Sequence, residues 1–204
     1  MAITPYFLTS SGDVAINNLP PTTATQAGGA GASGGVAKKS GNLWMQTPAG
    51  GTAPGLTAAD IVVATALIPA GAFDIANRNV TITANGNFAG NTNAKTIKIV
   101  VAPTTANIGA AVVGGITIAS IGAVTTSGSA WALGADIIKT GVNGSNTQTA
   151  IHMQALCGAT VQPLTPCQSL TLTENATILV AITINCATTA TDCSLWNFQG
   201  QWFN

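Results

Sequence analysis

The sequence predicts an all-β antiparallel sandwich, and three observations carry that prediction. From Arg78 to Phe88 the chain alternates strictly: Val80, Ile82, Ala84, Gly86 and Phe88 share one face, while Asn79, Thr81, Thr83, Asn85 and Asn87 share the other. This is the period of two of a half-buried strand. Similar short runs recur along the chain, separated by segments rich in Gly, Pro and Asn that suit turns. No stretch carries the 3.6-residue repeat of an amphipathic helix.

Residues 1–55 lack a sustained period. Tyr6, Phe7 and Leu8 form an apolar start, and Val14, Ile16 and Leu19 alternate before Pro20-Pro21. Thr22 to Gly35 is a low-complexity run of Thr, Ala, Gly and Ser, which by itself buries too little apolar surface to offset the entropy of ordering. Asn42-Leu43-Trp44-Met45 then offers a second apolar anchor before a Pro/Gly-rich link. The segment is expected to be an extended N-terminal arm that docks on a neighbouring subunit or an underlying shell through Tyr6, Phe7, Leu8, Leu43 and Trp44. A flexible leader with an incidental Trp is the alternative.

Residues 56–204 are expected to form the folded domain. Ile61 to Ile68, Arg78 to Phe88 and Lys95 to Val101 read as three strands, with turns at Pro69 to Asp74 and Ala89 to Ala94. Ala110 to Ser120 is strand-like but interrupted by Gly114-Gly115, where a bulge or break is expected. Trp131, Leu133, Ala135 and Ile137 alternate in the next strand. Gln148 to Ala155 follows, with Ile151, Met153 and Ala155 on one face and Gln148, His152 and Gln154 on the other. Ile178 to Cys186 alternates cleanly. Trp196, Phe198 and Trp202 share one parity at the end, and Leu195 and Phe203 the other. The count is eight or nine strands, and periodicity does not choose between jelly-roll and immunoglobulin-like order.

Charged residues are 6% of the chain, against about 25% in a typical soluble domain. Six basic and six acidic residues cancel. A surface made polar by Thr, Asn, Ser and Gln has little repulsion to keep copies apart, which favours assembly. Lys38-Lys39 is the only adjacent basic pair, so nucleic acid is not expected as a partner. Nor is a membrane, since no apolar run approaches the roughly 20 residues of a span. Met1 to Tyr6 lacks the charged start and apolar core of a signal peptide, so synthesis in a cytosol without export is expected.

No catalytic constellation stands out, and no enzyme activity, cofactor or metal is expected. His152 is the single histidine, read as a surface or interface side chain. Asp13, Asp60, Asp74, Asp136, Glu174 and Asp192 show no spacing that selects a glycosidase pair. Cys157, Cys167, Cys186 and Cys193 do not match zinc-site spacing. Each sequential pair flanks a loop, so clips Cys157 to Cys167 and Cys186 to Cys193 are geometrically reasonable, with free buried thiols as the alternative. Trp131, Trp196 and Trp202 at alternating positions are read as core, against a competing carbohydrate-binding platform.

The wording IPAG followed by NVTITANGNFAGNTNAKTIKIVV resembles a segment common in tailed-bacteriophage virion proteins. The similarity continues more weakly through Trp131 to Thr140, Asn146 to Ala155 and Leu170 to Asn204. It implies a jelly-roll-like β-sandwich in a virion, assembled in the host bacterial cytoplasm. The expected role is non-enzymatic capsid decoration or cement. The expected partners are further copies in a homotrimer and the major capsid protein. A tail or head-fibre module that binds a host receptor is the alternative. Deleting residues 1–40 is expected to leave a folded, soluble core with weakened attachment or trimerisation, read by circular dichroism and sizing; an unfolded product would place the segment in the core.

Overall fold

A computed structural model describes residues 40–46, 51–52, 59–125, 128–186 and 191–203. Among them every regular element is a strand. In chain order these are β1 (Ser40–Gln46), β2 (Gly51–Thr52), β3 (Ile61–Ile68), β4 (Asn79–Phe88), β5 (Lys95–Val101), β6 (Ile116–Val124), β7 (Ala130–Lys139), β8 (Gln148–Cys157), β9 (Thr160–Val161), β10 (Gln168–Leu170), β11 (Ile178–Cys186) and β12 (Cys193–Phe203). The larger sheet runs β1-β12-β4-β7-β8-β10, with β2 added on β12 and β9 on β8; the smaller runs β3-β11-β5-β6. All pairings between these strands are antiparallel. The fold is therefore the expected β-sandwich, and the pairing supplies the strand order that periodicity left open.

β4 shows how sequence becomes layer. Its apolar parity is buried and its Asn/Thr parity half-buried along all ten residues, because β12 and β7 flank it and only one face meets the other sheet. Val80, Ile82, Phe88, Leu133, Ile137 and Phe198 from the larger sheet pack with Ile68, Ile97, Ile99, Ile182 and Ile184 from the smaller in one core. Each fully buried side chain of this size contributes about 1.5–3 kcal/mol. β11, central in the smaller sheet, is almost continuously buried.

One expectation is met and two need correction. The break expected at Gly114-Gly115 is there, and the strand begins at Ile116, because both glycines take left-handed backbone, φ 66° and 86°. Two such residues in succession break a strand, and the chain before them runs beside β3 instead, with Val62 N–H donating to Ala110 O at 2.9 Å. In β8, Gln148 and His152 point inward and are buried, while Met153 is exposed. The register against β7 slips between Gly134 and Ala135, and the extra residue reverses the parity assigned from sequence.

The second correction concerns the arm. Residues 40–46 and 51–52, assigned by sequence to a segment separate from the domain, are strands of the larger sheet. Leu43 and Trp44 pack against the core of their own chain, so they are not free anchors for a neighbour. Trp44 lies over Gly200 and tilts against Phe198, with ring centroids 5.3 Å apart. Gln46 Nε2 donates to Thr65 O at 2.8 Å and ties β1 to β3 in the opposite sheet. A short apolar patch after a low-complexity run satisfies an edge strand as well as an arm.

The Trp44 contact exists because Gly200 has no side chain: a Cβ there would come within 2.3 Å of the indole. Gly200→Ala is expected to lower unfolding free energy by about 1–3 kcal/mol, the usual range for overpacking, measured by urea denaturation. Gly122→Ala, where nothing lies within 4 Å of the new methyl, is the control that should move little.

Candidate functional site

Among the described residues the outer face of the larger sheet carries little charge, and Trp196 is its most exposed aromatic. The register of β12 against β4 slips between Leu195 and Asn197, so Trp196 is the extra residue of a β-bulge. The bulge turns Trp196 away from the core that holds Leu195 and Phe198, and leaves it 54% exposed. Beside it lies an open cleft of about 340 Å³ lined by Asn85, Gly86, Ala130, Trp131, Ala132, Leu156, Gly158 and Trp196. The small side chains of Ala130 and Ala132 make the room. Trp131 is held beneath by its Nε1–H, which donates to Ser194 O at 3.2 Å.

Around the cleft the half-buried positions are Asn and Thr on β4 and Asn197, Gln199 and Gln201 on β12. Asn197 Oδ1 and Thr83 Oγ1 are buried with no hydrogen-bond partner among the described residues. Asp136 is the one charged side chain on this face among the described residues, and it accepts a 2.6 Å hydrogen bond from Thr81. Such a surface can offer amides and hydroxyls to a neutral partner, and an indole face for apolar contact.

A second groove, about 420 Å³, runs between Ser120, Gly122, Ala123 and Val124 of β6 and the segment Gln162 to Thr165. Its outer wall is held by His152. The Thr165 backbone N–H donates to His152 Nδ1 at 2.7 Å, so Nδ1 carries no proton, and Nε2–H donates to Gln154 O at 3.2 Å. Burial, opposed by the Gln154 contact, holds the imidazole below its usual pKa. This histidine is a structural post, not a surface side chain.

The described acids each hold a partner. Asp60 pairs with Lys98 at 2.6 Å, and Asp74 with Arg78. Asp192 accepts from Asn91 and Asn93. Glu174 forms a buried ion pair with Lys139, whose Nζ also donates to Ser145 Oγ at 2.7 Å. Glu174 further accepts from Gly144 N–H at 2.9 Å and Gln148 Nε2 at 3.0 Å. Burial alone would raise its pKa, but the Lys139 and Gly144 contacts outweigh burial and hold it below the usual value. Among the described residues no group of three His, Cys, Asp or Glu is placed to hold a metal ion.

Tyr6, Phe7 and Leu8 lie outside the described residues. All four cysteines are free thiols; Cys167 is exposed and the others buried. The Cys157 to Cys167 clip is excluded by register. Gln168 pairs with Ala150, which sets Cys167 level with Ile151, six residues along β8 from Cys157 and roughly 20 Å away. A disulfide needs Cα atoms within about 7 Å. Trp131 and Trp202 are in the core as the alternation implied, but Trp196 is not. Its exposure had one sequence signal: Leu195 and Phe198 are three apart, so both face inward only if a residue between them is extra.

No family model matches the sequence, and no curated protein matches it. Among solved structures, the CBM2 module of the evolved Dit of Lactobacillus casei BL23 phage J-1 aligns over 83% of this chain and 98% of its own, at 10% identity and a TM-score of 0.41.

Glu174→Gln would leave the Lys139 ammonium buried without its counter-charge. The expected loss is about 3–5 kcal/mol of unfolding free energy, read from chemical denaturation. Stability should also fall in acid in two windows. As pH drops below 6.5 the unfolded chain protonates its histidine before the folded chain can, so unfolding is favoured. Lower still, through and below the ordinary carboxyl range, Glu174 takes up a proton in the unfolded chain first, and its contribution is lost. Urea midpoints at pH 7.5, 5.5 and 3.5 should decline in order, and His152→Gln should flatten the first step.

Proposed function

We propose that this chain is a non-enzymatic structural module of a phage virion, attached through the outer face of its larger sheet. The observation that carries the proposal is Trp196, lifted out of β12 by a bulge onto a face where Asp136 is the one charged side chain among the described residues. An exposed indole on a neutral lattice of amides and hydroxyls gives contact area without desolvating ions. The segment from IPAG to KTIKIVV supplies the phage context. The partnered acids support a role in contact rather than catalysis.

As a capsid decoration or cement protein, the module would sit on the major capsid protein as a homotrimer and add interface free energy that must be overcome before the shell opens. A second reading, a tail or head-fibre module that binds a host receptor, is favoured by the cleft beside Trp196. A sugar ring could stack its C–H face on the indole there, while Asn85 and its neighbours meet the hydroxyls.

Trp196→Ala in the phage genome separates the two. For a cement protein, the variant should be depleted from purified particles, which should release DNA at a lower temperature. For a receptor module, incorporation should be unchanged while adsorption to host cells falls about tenfold or more, the scale of a lost hot-spot aromatic. If incorporation, heat resistance and adsorption all stay as in the parent, this face is not the contact face.

A further inference from the structure

We propose that Cys186 and Cys193 are a disulfide-forming pair that ties the two sheets together, oxidised by exchange with a low-molecular-weight disulfide such as oxidised glutathione. Cys186 is the last residue of β11 in the smaller sheet, and Cys193 the first of β12 in the larger. Both are buried in the one core cluster, and Lys95, the partner of Cys186, reaches over the ring of Phe88, the partner of Cys193, so the two strand ends face each other. The bond would therefore form between strand ends that already face each other, and it would add a covalent tie to the core packing and the Gln46–Thr65 hydrogen bond that join the layers.

The surroundings hold both strand ends in place. Cys186 pairs with Lys95 on β5, and Cys193 with Phe88 on β4. Asp192, immediately before Cys193, accepts from Asn91 Nδ2 and Asn93 Nδ2, and its carbonyl accepts from Ala89 N–H at 2.8 Å. Lys95 Nζ donates to the carbonyls of Asn91 and Asn93 at 2.8 and 3.0 Å and lies 5.9 Å from the Phe88 ring centroid. The loop that carries the asparagines thus clamps the start of β12 at Cys193 and holds the side chain of Lys95, the β5 partner of Cys186.

The contact from Cys193, with Lys95 assisting, holds the Cys186 thiol below its usual pKa despite burial, whereas burial pushes Cys193 well above it. Cys186 is accordingly the attacking thiolate. It displaces one thiolate from the small disulfide and forms a mixed disulfide. Cys193 then gives up its proton and attacks the Cys186 sulfur, releasing the second small thiol. Two protein thiols and one disulfide become one protein disulfide and two small thiols.

The test is to refold the reduced, denatured full chain in a glutathione redox buffer, so that access to the buried sulfurs is not limiting. The product is alkylated in denaturant, digested and mapped by mass spectrometry. The expected result is one cross-linked species joining Cys186 to Cys193, alkylated Cys157 and Cys167, and a melting temperature about 5 °C above the reduced protein. The double variant Cys186→Ser/Cys193→Ser should fold yet show no thermal shift with oxidant. Four alkylated cysteines, glutathione retained on Cys186 beside an alkylated Cys193, or a cross-link through Cys157 or Cys167 would each overturn the proposal.

Discussion

The buried ion pair between Lys139 and Glu174 is the interaction on which one end of the sandwich depends. Lys139 closes β7, Gln148 opens β8, and Glu174 lies in the connection from β10 to β11. The carboxylate meets the ammonium, the Gln148 amide and the Gly144 N–H. The Glu174 carbonyl accepts from Gly71 N–H in the β3 to β4 connection, and its N–H donates to Asn146 Oδ1. Three connections from both sheets therefore converge on one residue. Removing two ions from water is costly, so such a pair earns its place through geometry more than through net energy. Here it fixes where the loops end and the strands begin.

The same economy governs the rest of the molecule. Arg78 is buried beside Asp74, 5.2 Å from the Trp202 ring centroid, and Lys95 is buried at the opposite end under backbone carbonyls. Cations that would ordinarily keep a surface soluble are instead spent inside as fasteners. The outward strands are left with Asn, Gln and Thr, and the proposed contact face follows from that allocation.

Much of the fold was legible because one-sided burial writes itself as alternation: β3, β5 and β11 begin and end where the pattern does. The inverted side-chain directions share one cause. A bulge inserts one residue and reverses parity beyond it, and periodicity cannot see which residue is extra. That is why His152 and Gln148 were placed outside and Trp196 inside. β1 was missed for a different reason, since an edge strand whose main energetic contribution is one Trp over one Gly leaves little periodic trace. The register that separates Cys157 from Cys167 depends on β10 pairing with β8 and was beyond local sequence altogether.

β12 is translated after the eleven other strands, yet it is the partner of β1, β2 and β4. Ser40 meets Phe203 and Val80 meets Trp202, contacts that span most of the chain. Until β12 emerges from the ribosome, β4 has one open edge and β1 has no sheet to join. Such non-local pairing makes closure slow and leaves strand edges exposed while it is awaited. Folding of the larger sheet therefore waits on the emergence of β12, and any truncation that removes β12 should yield an aggregating chain, not a smaller sandwich.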